Sequence, residues 1–281
     1  MTQHTTWLVV NAASGSNSDE AVDQLNDELA RAGHAPARIV RLPGDDLPDA
    51  AVLDAAGVTV LATFTGDGTA GAQVAKLHGW GGHVLILPGG TQNLLARRLH
   101  GERSTADVVS ELGSGRMQTV QLSLIRSAHG DALCEVVAGP GAHWSDVRET
   151  MRDGDVAGMA STLAEAIGKS AGGPAVALSD PVLGKPEGYP AVRLSPGPAG
   201  MAVDGYGADN AADFARQGMA ILRRDFRQGP HDKLGYHAAV SCRSDEPIEL
   251  MLDGERATGV LEERFEQALC PVKFLASAIE S

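Results

Sequence analysis

The segment Thr65-Gly66-Asp67-Gly68-Thr69 carries the residue types most able to do chemistry. It follows an apolar run at 58–64 that reads as a buried strand, and it opens an Ala-rich, helix-compatible stretch at 70–77. A strand, a tight glycine turn and a helix N-terminus form a phosphate cradle. The glycines let the backbone approach the anion, and the first helical N–H groups meet it with the positive end of the macrodipole behind them. An aspartate among those donors repels a bare anion. It suits a divalent cation beside the phosphates, or a hydroxyl that must lose a proton. On local sequence alone, Asp67 serves equally well as an acidic helix cap.

Two further loops have the same character. The run 83–87 reads as a strand, followed by Pro88-Gly89-Gly90-Thr91-Gln92-Asn93 and a helical stretch at 94–99. Near the amino end, 7–10 reads as a strand, Asn11-Ala12-Ala13-Ser14-Gly15 as a loop, and 19–31 as a helix with Val22, Leu25 and Leu29 on one face. Thr91 and Asn93 read as phosphate and loop-positioning groups, although Thr91 also suits an N-cap and Asn93 a first-turn residue bonded to backbone. A fourth cluster stands far downstream: Asp253-Gly254-Glu255 ends the strand-like run 248–252. If strand geometry persists there, both carboxylates project from one face and can divide the handling of a proton and of metal-bound water. The competing reading is a plain Asp-Gly hairpin turn.

The elements that must hold these residues fall into two patterns. Strands near 7–11, 37–41, 58–64 and 83–87 alternate with helices, one near 104–112, which predicts a doubly wound, Rossmann-like α/β domain with its ligand crevice at the carboxyl ends of the strands. From Gln118 onward the texture changes to short apolar runs at 120–126, 133–138, 175–178, 191–194, 200–203, 235–242 and 247–252, punctuated by Pro and Gly. That predicts an antiparallel β-sandwich, with a helical insertion at 145–169. The expected division is 1–116 for the α/β domain and 117–260 for the sandwich, with 261–281 returning to the first domain.

In order and spacing, these motifs resemble the diacylglycerol kinase catalytic domain family, which includes bacterial soluble lipid kinases and sphingosine kinases. The resemblance rests on Asn11 to Gly15, Thr65 to Thr69, Pro88 to Arg97 with Gly90, Thr91, Asn93 and Ala96 in place, and Asp253-Gly254-Glu255. The chain departs from the family pattern at Thr65 for glycine, Ala12 for proline, and Gly71-Ala72 where Asn-Glu is common. The resemblance implies an ATP- and Mg2+-dependent lipid kinase acting on a diacylglycerol-like or sphingoid hydroxyl, with its active site between the domains. It assigns Asn11, Ser14, Gly15, Thr65, Gly66, Gly68, Thr69, Gly90, Thr91 and Asn93 to the nucleotide, and Asp67 to metal and phosphates. Glu255 becomes the general base, Asp253 its helper, and Asp204 a metal ligand in a second acidic turn; an ordinary surface turn is the competing reading of Asp204-Gly205. Two alternatives remain: a catalytically silent nucleotide- or lipid-binding protein, and an NAD kinase-like enzyme.

Composition bounds the rest. At 281 residues the chain exceeds the roughly 100–200 residues of one domain. A net charge of −13 argues against a nucleic-acid partner, whose phosphates need clustered cations. Cys134, Cys242 and Cys270 show no Cys-x-x-Cys spacing, which disfavours zinc or a disulfide framework. The amino end lacks the basic and apolar regions of a signal peptide, so a cytoplasmic location is expected, with peripheral docking at the inner membrane surface. Arg223, Arg224, Arg227 and Lys233, interleaved with apolar residues at 219–233, are the candidate docking patch; a solvated face is the alternative. Homodimerisation through an exposed sandwich strand is a further expectation.

Overall fold

A computed structural model describes residues 5–12, 17–139, 175–207 and 231–278. The chain divides into two compact units, Met1–Leu122 with Leu269–Ser281, and Ser123–Ala268. The divide therefore lies a few residues beyond the expected 116/117, and the returning segment starts at 269 rather than 261. Pairing sets both limits: one strand of the first sheet occupies 118–120, and the strand that begins at Glu262 keeps the chain in the second unit through Ala268.

In the first unit, β1 (Thr6–Asn11), β2 (Pro36–Leu42), β3 (Val60–Thr65), β4 (His83–Pro88), β5 (Gln118–Val120) and the late β18 (Lys273–Ala276) form one sheet in the order β2-β1-β3-β4-β18-β5. All its pairs are parallel except β18 with β5. Every residue of β3 is buried, as a sheet covered on both faces requires. Alternate residues Leu8, Val10, Val60, Ala62, Phe64, Leu85 and Leu87 pack against Val22, Leu25 and Leu29 of α1 (Asp19–Arg31) and Val108, Val109 and Leu112 of α5 (Thr105–Gly113). Side-chain caps start both helices: Ser18 accepts from Ala21 N–H, and Ser104 closes a capping box with Asp107. The other helices are α2 (Ala50–Ala55), α3 (Asp67–Ala75) and α4 (Leu94–His100), of which α3 packs on β3 and α4 on β4 and β18.

The carboxyl end is fastened to α4 by a buried histidine. Ser277 N–H donates to His100 Nδ1 at 3.2 Å, Ser277 Oγ lies 3.0 Å from the same nitrogen, and Arg103 donates to the carbonyls of His100 and Ala278. Burial lowers the His100 pKa to about 4 from 6.5, so the ring is neutral at pH 7. Because the unfolded chain takes up the proton first, the stability His100 supports is intact above pH 6.5 and is lost as the pH falls toward 4. Denaturant titrations at pH 7 and pH 5 should show about 2 kcal/mol lost in the native protein beyond the loss in a His100→Asn variant.

The second unit is an antiparallel sandwich of two sheets. One has the order β10-β9-β14-β17-β6-β7, from β6 (Ser123–Ser127), β7 (Gly130–Ala132), β9 (Ala177–Asp180), β10 (Val182–Leu183), β14 (Ala239–Arg243) and β17 (Glu262–Leu269). The other has the order β13-β12-β11-β8-β15-β16, from β8 (Val136–Ala138), β11 (Ala191–Ser195), β12 (Met201–Tyr206), β13 (His231–His237), β15 (Glu249–Leu252) and β16 (Glu255–Thr258). Ile125, Leu178, Val240, Cys242 and Phe265 of the first sheet share a core with Val136, Val192, Leu194, Val203 and Leu250 of the second. Burial pushes the Cys242 thiol up to about 12, which keeps it an unreactive packing group. The α/β-plus-sandwich architecture is the one expected from the change of periodicity at 118. The helix expected at 145–169 lies outside the described residues.

Candidate active site

The order β2-β1-β3 means that the chain leaves β1 to one side and later returns on the other, which opens a crevice at the carboxyl ends of β1 and β3. Asn11 ends β1, and its Nδ2 donates to Thr69 Oγ1 at 3.0 Å in the first turn of α3. Asn17, which sequence reasoning passed over, spans the same gap: its Nδ2 donates to Asn11 O at 2.9 Å and to Phe64 O at 2.7 Å. Ser14 and Gly15 lie outside the described residues.

Thr65 closes β3, and Gly66 is the N-cap residue of α3 without a capping side chain. Asp67 is thus the first residue of the helix rather than a loop residue or its cap. Its Oδ1 instead accepts the N–H of Leu95, at 3.1 Å, in the first turn of α4. Asn93, the N-cap position of α4, has left-handed backbone (φ 53°) and offers no side-chain cap, so Asp67 supplies one from the neighbouring helix. Asn93 folds its own loop: Oδ1 accepts Gly90 N–H at 2.7 Å and Nδ2 donates to Gly90 O at 2.9 Å. The two loops touch backbone to backbone. A Cβ on Gly89 would lie 2.6 Å from Phe64 C and Thr65 N, and one on Gly90 would lie 2.7 Å from Gly66 Cα. Gly68 and Thr69 occupy the first turn of α3, partly exposed, and Thr91 is exposed beside a cleft of about 230 Å³ that Asn93, Ala96 and Arg97 also line.

In the second unit, Asp253 and Gly254 form the two-residue turn between β15 and β16, with φ of 48° and 96°, the backbone of a type I′ hairpin. The expectation that Asp253 and Glu255 share a strand face fails here, because the turn breaks the alternation on which it depended. The Asp253 carboxylate accepts three consecutive backbone N–H groups, from Leu133 at 2.5 Å, Cys134 at 2.8 Å and Glu135 at 2.8 Å. Burial raises its pKa above the ordinary carboxylate value, and the three N–H groups partly offset that. Truncation to Asp253→Ala would remove the acceptor shared by three part-buried N–H groups, so chemical denaturation should report about 1–3 kcal/mol of lost stability. Glu255 opens β16 and is exposed.

Asp204 sits in β12 directly opposite Arg193 of β11, and Arg193 donates to its Oδ2 at 2.7 Å with both side chains mostly buried. A guanidinium already neutralises this carboxylate, so its surroundings do not fit a divalent cation. Among the described residues, no group of three or more His, Cys, Asp or Glu side chains is arranged to hold a metal. The carboxylate of Asp67, at the first position of α3, fits Mg2+ differently, as one protein ligand beside phosphate oxygens and water. No helix among the described residues is long and apolar enough to cross a membrane.

Residues 5–125 match the family model described as diacylglycerol kinase catalytic domain. A crystal structure of a diacylglycerol kinase from Bacillus anthracis str. Sterne superposes with a TM-score of 0.65 at 16% identity, over 99% of this chain and 98% of that one. A candidate diacylglycerol kinase from the same organism gives 0.63 at 14% identity over 99% of both chains. At such identities the likeness is one of fold. No curated protein matches the chain.

Proposed function

We propose, from the match of residues 5–125 to the diacylglycerol kinase catalytic domain model, that the protein is an ATP- and Mg2+-dependent kinase that phosphorylates a lipid hydroxyl. The observation that carries the reading is the joining of two glycine loops at the carboxyl ends of adjacent parallel strands, through the contact of Gly89 and Gly90 with residues 64–66 and through the Asp67 to Leu95 bond. Phosphoryl transfer asks little of the protein beyond positioning and charge neutralisation. The N–H groups at the start of α3 suit the phosphates, with Thr69 and Thr91 as hydroxyl partners. Asp67 would hold Mg2+, which supplies neutralisation of the charge developing on the β- and γ-phosphates. Glu255 would accept the proton of the attacking hydroxyl; exposed at the start of a strand, it is accessible to an acceptor, whereas Asp253 is committed to backbone donors.

Docking at a membrane surface is part of the proposal, since the acceptor is a lipid; the basic patch expected for it lies, apart from 231–233, outside the described residues. A second reading, a nucleotide-binding protein without transfer activity, draws on Gly71 and Ala72, which bring neither amide nor carboxylate to the second turn of α3. Incubation with radiolabelled ATP, Mg2+ and mixed lipid extract separates the two. Label in an organic-phase lipid supports the kinase; ATP binding with no labelled lipid supports the silent protein.

A further inference from the structure

Both ends of α4 are held by groups that lie outside it. At its start Asn93 offers no side-chain cap, and the Leu95 N–H donates to Asp67 Oδ1 at 3.1 Å. At its end Ser277 N–H donates to Leu99 O at 3.2 Å, and Arg103 donates to His100 O at 2.7 Å. Arg103 also donates to Ala278 O at 3.1 Å and pairs with Glu111 of α5 at 2.9 Å, so the final carbonyls of α4 are latched to the carboxyl segment and to α5 together.

A helix of seven residues, about 10 Å long, gains little stability from its own hydrogen bonds. Burial of Leu94, Leu95 and Leu99 keeps α4 on the sheet, but apolar burial has no direction and tolerates sliding. Hydrogen bonds weaken steeply with displacement, so those at the two ends fix where α4 stands along its axis. We propose that Ser277 is a positioning residue for Asp67: by holding the end of α4 it sets where the Leu95 N–H meets Oδ1, and so fixes the orientation in which the Asp67 carboxylate is offered to the cation. This rests on the reading that the crevice holds ATP and Mg2+. The carboxyl segment then serves the nucleotide site without touching the nucleotide.

Calorimetric titration of the full-length protein with ATP, once in Mg2+ and once in EDTA, tests the assignment. Ser277→Pro removes the N–H, and Arg103→Met removes the guanidinium while keeping an apolar stem. Each should weaken ATP binding about tenfold in Mg2+, close to the worth of one hydrogen bond to a charged group, and should change it little in EDTA, where no cation calls on the carboxylate. The conservative Ser277→Ala keeps the N–H and should remain within about threefold of the native affinity. In an Asp67→Ala background the latch substitutions should cost no further affinity, because α4 then has no carboxylate to place. Native affinity in Mg2+ in a folded Ser277→Pro or Arg103→Met, whatever its stability, overturns the proposal. So does a loss that is equal in Mg2+ and EDTA, or one that persists on Asp67→Ala. If the native protein binds no ATP in either buffer, the nucleotide reading itself fails and the proposal falls with it, a result distinct from binding that ignores the latch.

Discussion

Phosphate transfer to lipid should fall by about 100- to 10,000-fold in Glu255→Gln, the range that removal of a general base produces. Gln keeps the size of the side chain and removes only its capacity to take a proton. Because Glu255 is exposed at the first position of β16, the change should leave stability within about 0.5 kcal/mol. A drop in kcat with an unchanged KM for ATP places the loss in the chemical step rather than in nucleotide binding. Transfer at the native rate would remove Glu255 from the mechanism. Asp253→Ala is the instructive contrast, since its expected effect is on stability.

The second large effect is expected from one added methyl group. In Gly89→Ala the new Cβ would lie 2.6 Å from two backbone atoms of the neighbouring strand, and backbone in a fully buried strand cannot move aside as a flexible side chain can. The loop after β4 must shift away from the loop after β3, which stretches the Asp67 to Leu95 bond and displaces the start of α3. A stability loss of about 2–4 kcal/mol is expected, with at least tenfold weaker ATP binding, by denaturant titration and calorimetry. Gly71→Ala is the internal control. It lies within α3 with nothing within 4 Å of the new Cβ, so it should stabilise the protein by up to about 1 kcal/mol. If the two substitutions behave alike, the close packing of the loops is not what holds them.

The alternation of apolar and polar residues by itself determined the strands β1 to β4, the helices α1 and α5, and the switch to an antiparallel sandwich after 118, because side-chain period is a local property that burial enforces along each element. Glycines and small polar residues at three strand ends likewise marked the crevice, since only those residue types allow backbone to approach an anion. Contacts across long separations were decided by the tertiary structure alone. Asp253 looked like half of an acidic pair until its partners proved to be N–H groups 118 to 120 residues earlier. Arg193 claims Asp204 through strand register, which local sequence does not encode. Asn17 gave no signal at all: an asparagine before a helix cap is ordinary, and only the neighbouring ends of β1 and β3 make its amide a bridge.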